Sequence, residues 1–183
     1  MKRVLVPLAQ GCEELEAVTI IDLLRRAKID VVTAGLDDQP VTASRGVRLM
    51  PDINLDTAIN QDFDMLVLPG GMPGAEHLDN DPRIKTLLKK MANNEQYTAA
   101  ICAAPKVLAN AGVLAGKKAT SYPGFLDNLD LPDTELVTDA VVIDGNVITS
   151  RGPGTAMDFA LALIEKLAGK DKRDEVEKAL VRN

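Results

Sequence analysis

The chain has 183 residues, which is long enough to bury roughly 70% of the surface that it exposes when unfolded, without disulfide or metal crosslinks. Hydrophobic residues make up 46% of it and charged residues 26%, a composition that excludes collagen-like, low-complexity and disordered chains. The formal net charge of −6 opposes binding to a nucleic-acid backbone or an anionic membrane surface, so we expect neither partner.

The short apolar runs and the small number of cysteine and histidine residues restrict the class of protein further. No apolar run reaches the roughly 18 residues of a membrane span, and residues 1–4 lead directly into a strand-like segment, so we expect a soluble, cytoplasmic protein. Cys12 and Cys102 are too few for a disulfide framework, and His77 is the single histidine. A typical zinc site needs more such ligands, so we expect no metal and no cofactor.

Short apolar segments alternate with longer stretches of helical periodicity, a pattern typical of βαβ units around a buried, largely parallel sheet. Pro7 lies inside the first predicted strand, and this position conflicts with the usual place of proline at an edge or a strand end. Val41 and Val47 flank a predicted short hairpin in a turn-rich connection. The first half is therefore predicted as strand 4–8, helix 13–27, strand 29–34 and, after the connection, strand 65–68.

The second half continues the alternation. Pro82 and Pro105 fit the first turns of two helices, and Asp144-Gly145-Asn146 is a strong hairpin signal. The helix predicted at 155–168 is apolar on almost all sides, so it is expected to pack on two sides or to cover an interface. The predicted elements are helix 82–92, strand 97–101, helix 103–111, strands 137–143 and 147–150, helix 155–168 and a charged helix 170–183. The whole pattern predicts an α/β sandwich.

Cys102 follows a predicted strand and precedes a helix, so it lies at a sharp corner between them. A nucleophile at such a corner is held in a strained backbone conformation above the sheet. The positive end of the helix stabilises a thiolate, so we expect the thiol pKa to lie below its ordinary value of about 8.5. The alternative is that Cys102 is a small buried apolar residue, as most free cysteines are, and its position alone does not decide.

Acidic residues and glycines lie in turns that converge with this corner, because ligands of an open parallel sheet bind outside the carboxyl ends of its strands. Three acids lie within 13–16, and Gly70 and Gly71 follow another strand. Beside a thiolate, Glu16 is expected to have a raised pKa and to move protons, while the two glycine amides hold an oxyanion. The competing interpretation is that the acids stabilise a helix N-terminus.

Five segments occur in order along nearly the whole chain: GCEELEAV at 11–18, SRGV at 44–47, LPGGMPGA at 68–75, AAICAAP at 99–105 and TSRGPGTAMDFAL at 149–161. They resemble segments of the ThiJ/PfpI superfamily, most closely the branch of the Parkinson-disease deglycases and their bacterial relatives. The resemblance implies a flavodoxin-like three-layer sandwich with a largely parallel central sheet. It also implies one domain over residues 1–183 and, usually, a homodimer.

The resemblance assigns roles residue by residue. It places the reactive cysteine at Cys102 and its acid partner at Glu16, which favours the catalytic interpretation of both. Relatives are described as glutathione-independent glyoxalases, as deglycases that reverse early methylglyoxal adducts on proteins and nucleotides, and as redox-sensing chaperones. The oxyanion or substrate contacts implied are Gly70, Gly71, Ala103, Arg45, Tyr122, Gly152 and Pro153, with Arg45 as an anion contact near a dimer interface.

Several positions depart from the pattern of the superfamily. Tyr122 stands where some members carry a pocket histidine, which argues against a Cys-His dyad. Ala103 replaces the histidine of protease-like members, so peptidase activity is not expected. His77 is predicted to be a surface residue, and Cys12 is either a resolving thiol for Cys102 or, as we favour, a passive small residue.

Together these observations predict a cofactor-independent thiol enzyme for reactive dicarbonyls or their early adducts, of the glyoxalase III or deglycase type. Cys102 forms a hemithioacetal and Glu16 shuttles the proton. A first alternative is a stress chaperone that senses oxidation of Cys102 without turnover. A second is acyl or amide hydrolysis, which is disfavoured because no histidine lies beside the nucleophile.

Overall fold

A mostly parallel sheet of seven strands forms the centre of the computed structural model, which describes residues 1–182. The strands are β1 (Arg3–Leu8), β2 (Asp30–Gly35), β3 (Val41–Thr42), β4 (Arg48–Leu49), β5 (Ile53–Asn54), β6 (Met65–Leu68), β7 (Tyr97–Ile101), β8 (Lys118–Ala119), β9 (Glu135–Leu136), β10 (Val141–Asp144) and β11 (Val147–Ser150). The central sheet has the order β10-β11-β7-β6-β1-β2-β5, and β10 pairs antiparallel with β11. Strands β3 and β4 form a separate hairpin, and β8 pairs with β9.

Helices cover both faces of this sheet. They are α1 (Glu14–Arg26), α2 (Leu55–Ala58), α3 (Gly74–Asn80), α4 (Pro82–Asn93), α5 (Pro105–Asn110), α6 (Ala156–Ala168) and α7 (Lys170–Ala179). Buried side chains of α1, α6 and α7 share one core cluster, and those of α2, α4 and α5 share the other. Helix α3 contributes Ala75 to the first cluster and Leu78 to the second. The predicted three-layer α/β sandwich is therefore confirmed. None of the helices within residues 1–182 combines the length and apolar character needed to cross a membrane.

Successive side chains of β1 lie on opposite faces of the sheet, which is why a helical layer packs on each face. Val4, Val6 and Leu8 pack with α1 and α6, while Leu5 packs in the opposite cluster. Strands buried on both faces have nearly continuous apolar sequences, as found here. Helix α6 contacts α1, α7 and the sheet, which confirms that it packs on more than one side.

The structure differs from the sequence predictions at several short elements. Pro7 pairs with Ala34 of β2, but the β1–β6 ladder covers Val4 and Leu5, so Pro7 lies beyond the pairing on that side. The sequence predictions do not include the short elements β5, α2, α3, β8 and β9. The helix predicted at 103–111 begins at Pro105, the strand predicted at 137–143 shifts to Val141–Asp144, and the last helix ends at Ala179. The final position of that predicted helix, Asn183, lies outside the described residues.

Candidate active site

Cys102 occupies the strand-to-helix corner after β7. Its φ of +64° lies in the left-handed region, which is strained for a residue with a side chain. The backbone on both sides holds this conformation: its N–H donates to the Ser150 carbonyl at 3.0 Å, and its carbonyl accepts from the Tyr122 N–H at 2.9 Å. The residue is 8% exposed. The predicted corner is present, and the thiol lies at the carboxyl end of the sheet.

Gly70 and Gly71 allow three turns to meet at this thiol. A Cβ on Gly70 would lie 2.6 Å from the Cys102 Cβ and 2.7 Å from Glu16 Oε2. A Cβ on Gly71 would overlap the backbone nitrogen of Glu13, and Gly71 has a φ of +89°. Both positions exclude a side chain, because the turns after β1, β6 and β7 approach one another at backbone contact distance.

Glu16 lies in the first turn of α1 and is fully buried. Its backbone N–H is bonded to Glu13 Oε2 at 2.8 Å, the cap that starts the helix. Its Oε2 accepts from the Gly70 N–H at 2.9 Å, whereas its Oε1 has no hydrogen-bond partner among residues 1–182. Burial raises the pKa of Glu16 to about 7, as the sequence led us to expect.

The Glu16 carboxyl affects the pKa of the Cys102 thiol. Burial, followed by the charge of the Glu16 carboxylate, raises the pKa of Cys102 to about 12, although the N–H groups of Gly71 and Ala103 oppose the shift. The prediction of a lowered thiol pKa is therefore wrong beside an ionised Glu16, since burial and a like charge outweigh the helix end. The unpartnered Oε1 is consistent with a carboxyl that takes up a proton, so the pair can hold one proton between them.

The amides of the glycine pair have different partners. The Gly70 N–H is bonded to Glu16, so it is not free for the predicted oxyanion role. The N–H groups of Gly71 and Ala103 lower the pKa of Cys102, because they stabilise negative charge on its sulfur. The anion-stabilising amides at the sulfur are thus Gly71 and Ala103, with Gly70 positioning the acid.

Arg45 lies in the exposed turn between β3 and β4, and Glu14 holds that turn. The Glu14 carboxylate accepts from the Arg45 N–H at 2.8 Å, the Ser44 hydroxyl at 3.0 Å and the Val47 N–H at 3.4 Å. These hydrogen bonds lower the pKa of Glu14. The Arg45 guanidinium makes no hydrogen bond or ion pair with the described residues, so its anion contact stays a prediction. Sequence reasoning missed the anchoring role of Glu14, because Glu14 and its partners are about thirty residues apart.

Tyr122 and the Gly152-Pro153 pair lie together beside the Cys102 corner. The Tyr122 ring packs against Gly152, where a Cβ would be 3.2 Å from Cδ2, and meets Phe125 edge-on at 6.3 Å between ring centroids. Pro153 begins a short 3₁₀ turn, Pro153–Thr155. Tyr122 is 48% exposed, and the predicted contacts of Tyr122, Gly152 and Pro153 with substrate stay predictions.

Cys12 carries the other thiol of the chain, and His77 carries its single imidazole. Cys12 is 1% exposed, and burial raises the pKa of its thiol to about 12, which favours the passive interpretation over a resolving thiol. His77 lies on the exposed side of α3, as predicted. Across the part of the chain that the structure describes, no three His, Cys, Asp or Glu side chains are grouped to hold a metal ion.

These features define a class, the α/β sandwiches that carry a cysteine at a strand-to-helix corner with a buried acid beside it. Residues 2–166 match the model of the DJ-1/PfpI family, and the chain belongs to that family. The resemblance to the superfamily seen in the sequence is thereby confirmed.

Several named proteins are similar to this chain over most of its length. Protein dj-1beta of Drosophila melanogaster is 45% identical over 181 residues, 98% of this chain and 97% of that protein. Glutathione-independent glyoxalase DJR-1.2 of Caenorhabditis elegans is 37% identical over 171 residues, 93% of this chain and 91% of that protein. Protein DJ-1 homolog B of Arabidopsis thaliana is 45% identical over 97% of this chain, which spans 40% of the plant protein. The chain thus has less than half the length of this relative and of homolog A, where it spans 46%.

Solved structures agree with the fold. The crystal structure of Drosophila melanogaster DJ-1beta superposes with a TM-score of 0.94 at 46% identity, covering 98% of this chain and 97% of that chain. Oxidized Toxoplasma gondii DJ-1 gives a TM-score of 0.94 at 39% identity, covering 99% and 98%.

Proposed function

We propose that the chain is a cofactor-independent thiol enzyme that converts small dicarbonyls, or their early adducts on amines and thiols, into hydroxy acids. The observation that carries this proposal is the contact between a buried carboxyl and a thiol at a strained corner, where burial raises the pKa of both groups and the Glu16 carboxylate raises the pKa of Cys102 further. With the pKa of Glu16 near 7, its carboxylate is a base that is available at neutral pH.

In the first step the Cys102 sulfur attacks the aldehyde carbon of methylglyoxal, and the thiol proton passes to Glu16. The carbonyl oxygen then takes this proton, which gives a hemithioacetal and restores the Glu16 carboxylate. While the oxygen carries negative charge, the N–H groups of Gly71 and Ala103 stabilise the anion. The general base compensates for a thiol whose own pKa is too high to supply much thiolate.

In the second step Glu16 removes the hydrogen from the former aldehyde carbon as a proton, which gives an enediolate, and returns a proton to the neighbouring former ketone carbon. The hydroxyl proton of the former aldehyde oxygen passes to the former ketone oxygen, so that the first carbon becomes the thioester carbonyl and the second carries the hydroxyl. The product is a lactoyl thioester of Cys102, formed with no change in overall oxidation state. Water then cleaves the thioester, which releases lactate and the free thiol. An adduct on an amine follows the same route when the amine leaves from the attacked carbon.

A relative of moderate sequence identity supports the proposed class of reaction. A glutathione-independent glyoxalase is 37% identical to this chain over nearly its whole length. A dicarbonyl is small and electrophilic, which suits a thiol whose residue is 8% exposed and lies where the turns after β1, β6 and β7 meet. We therefore propose reactive dicarbonyls and their early adducts as the substrate class.

The test follows methylglyoxal loss and lactate formation in the wild type and in variants. We expect Cys102→Ser to lose turnover by at least about 1000-fold and Glu16→Gln by about 100-fold to 10,000-fold, since each removes a reacting group. Cys12→Ser is the matched control, because it removes the other buried thiol and leaves the reacting pair unchanged. Similar rates in all four proteins would contradict the mechanism.

A second candidate function uses the same sulfur as a peroxide sensor. Two molecules of hydrogen peroxide convert the thiol to a sulfinic acid and release two molecules of water. The favouring observation is that an oxidized DJ-1 of Toxoplasma gondii superposes on this chain with a TM-score of 0.94. Mass spectrometry after mild peroxide, with a client-aggregation assay, tests it: sensing requires oxidation at Cys102 and a change in client binding that Cys102→Ser lacks.

We also propose that two copies pair through an apolar surface beside the site. Leu15 and Val18 on α1 are 51% and 45% exposed, and Val47 and Met50 around β4 are 48% and 71% exposed. The Glu14 contact with the β3–β4 turn brings these two segments together, and homodimers are what the family resemblance implies. Sedimentation should show a dimer that Met50→Glu dissociates, whereas Met157→Glu on α6 leaves it intact.

A further inference from the structure

The strained corner at Cys102 needs support on both sides, because a left-handed conformation persists only where the surrounding structure enforces it. On one side the Cys102 N–H donates to the Ser150 carbonyl, and Ser150 is fixed by pairing on both edges of β11. On the other side the Cys102 carbonyl accepts from the Tyr122 N–H, and Tyr122 lies outside the strands. The second partner therefore needs an anchor of its own.

Tyr122 belongs to the long connection between α5 and β10. Within this connection β8 pairs with β9, and each of these strands has two residues. Residues 119–122 make two hydrogen bonds to parts of the described chain outside residues 117–137. One is the Tyr122 bond to Cys102, and the other comes from the Thr120 N–H. The Thr120 hydroxyl adds no third bond, since its Oγ1 has no partner among the described residues.

Thr149 provides the acceptor for the Thr120 N–H. Its Oγ1 lies 2.9 Å from the Thr120 nitrogen, and the two residues are 0% and 1% exposed. Thr149 is part of β11 and pairs with Ala100 on one edge and with Val142 on the other, so its hydroxyl has a fixed place in the central sheet. Without this acceptor the Thr120 N–H is unsatisfied away from water, which costs free energy that a movement of the segment relieves.

Ser150, the next residue of β11, holds a different segment. The side chains of Thr149 and Ser150 lie on opposite faces, because successive side chains of a strand alternate. The Ser150 hydroxyl is bonded to the Ala140 carbonyl and to Thr155 Oγ1, both at 2.7 Å, so it fixes the turn that follows β11. Among the hydroxyls of β11, the anchor of residues 119–122 is therefore Thr149.

We propose that Thr149 is a positioning residue for Cys102. By holding the Thr120 N–H it keeps the Tyr122 N–H on the Cys102 carbonyl, and this bond keeps the corner left-handed with the sulfur beside Glu16. Thr149 acts through two backbone hydrogen bonds and takes no part in the reaction itself. The assignment rests on the proposed function only in taking Cys102 as the reacting thiol.

The first readout is hydrogen exchange of the Tyr122 amide, measured on the full chain relative to the amides of β6. In Thr149→Val, which removes the acceptor and nearly keeps the side-chain volume, we expect this amide to exchange at least 10-fold faster. Its own acceptor, the Cys102 carbonyl, is unaltered, so the increase reports transmission along the segment. Thr149→Ser keeps the hydroxyl and should exchange as the wild type does. Thr98→Val is the matched control, since it removes a buried hydroxyl of β7 that has no partner among the described residues.

The second readout is the pH profile of Cys102 alkylation by iodoacetamide. Thr149→Val should lose the rise near pH 7 that we expect from Glu16, because a relaxed corner moves the sulfur away from that carboxyl. Methylglyoxal turnover should fall at least 10-fold in kcat. Thr149→Ser and Thr98→Val should keep the pH profile and the turnover of the wild type.

A second pair of variants carries the test when Thr149→Val does not fold. Thr149→Ala and Thr149→Ser differ only in the hydroxyl, and the Tyr122 amide should exchange at least 10-fold faster in the alanine variant. An unchanged Tyr122 amide in Thr149→Val, or an equal increase in Thr98→Val, would overturn the proposal. A wild type without methylglyoxal turnover would contradict the proposed function alone, since exchange and alkylation do not depend on turnover.

Discussion

Gly70 shows how little space separates Cys102 from Glu16, the two residues of the proposed reaction. The added Cβ that would lie 2.6 Å from the Cys102 Cβ would also lie 2.8 Å from the Ile101 carbonyl oxygen. The third close neighbour is Glu16 Oε2, so two of the three atoms belong to the residues that we propose to react, Cys102 and Glu16. Glycine is required at this position because a Cβ would overlap its neighbours. The backbone conformation does not require it, since Gly70 has no positive φ.

Gly70→Ala is therefore expected to separate Glu16 from Cys102 and to destabilise the fold by about 2 kcal/mol or more, through overpacking. Turnover of methylglyoxal should fall with it. Gly154→Ala is the matched control, because nothing lies within 4 Å of the added Cβ and its φ is not positive, so its free energy of unfolding should change by less than about 0.5 kcal/mol. Urea denaturation of both variants checks this, and equal stabilities would count against the close approach.

Some of the site is predictable from single residues, and some of it is not. Cys102 after a strand and the acids in the first turn of a helix are visible in the sequence, because corners and helix starts have local signals. The direction of the Cys102 pKa shift was predicted wrongly, since it depends on burial and on a carboxylate 86 positions away in the chain. The use of the Gly70 amide by Glu16 is likewise a long-range contact.

At the scale of elements, the β3–β4 hairpin depends on one side chain of α1. The carboxylate of Glu14 accepts hydrogen bonds from the Ser44 hydroxyl and from the N–H groups of Arg45 and Val47. In the same turn, the Ser44 N–H donates to the Cys12 carbonyl at 2.8 Å. The turn that carries Arg45 is thereby tied to the loop that leads into α1. Its position relative to the reacting groups follows from these bonds.

Glu14→Ala should loosen this turn and leave the central sheet unchanged. We expect hydrogen exchange of the Arg45 and Val47 amides to become at least 10-fold faster, because both lose their acceptor. Glu76→Ala, on the exposed side of α3, is the control and should leave these two amides as they are. Unchanged exchange in Glu14→Ala would show that other contacts hold the turn.

The long elements followed from the sequence, whereas the short ones did not. Strands 65–68 and 97–101 were predicted at their observed bounds, because continuous apolar runs between turn residues are strong signals. β5 has two residues and α2 has four, so neither shows a full period of hydrophobicity. α3 follows the glycine-rich turn directly and lacks a side-chain cap that would mark its start.

For the whole molecule, the buried acid makes folding depend on pH. A glutamate in the unfolded chain titrates near 4.5, and Glu16 in the folded chain near 7. Between these values the folded state keeps a proton that the unfolded state has lost, so the free energy of unfolding decreases as pH rises. The loss from this one group is about 3 kcal/mol by pH 8.

Glu16→Gln removes this dependence, so the variant should gain stability relative to the wild type as pH rises. We expect the difference in unfolding free energy, variant minus wild type, to increase by up to about 3 kcal/mol between pH 5 and pH 8. Urea denaturation at the two pH values measures it. A difference that stays constant with pH would mean that Glu16 titrates alike in both states.

The most direct test of the coupling between Glu16 and Cys102 is the pH dependence of Cys102 alkylation by iodoacetamide, measured in the wild type and in Glu16→Gln. In the wild type the pair loses its first proton near pH 7, so the rate should rise through that pH. In Glu16→Gln this rise should vanish and leave a single step for an isolated thiol. The same profile in both proteins would show that the acid does not control the sulfur.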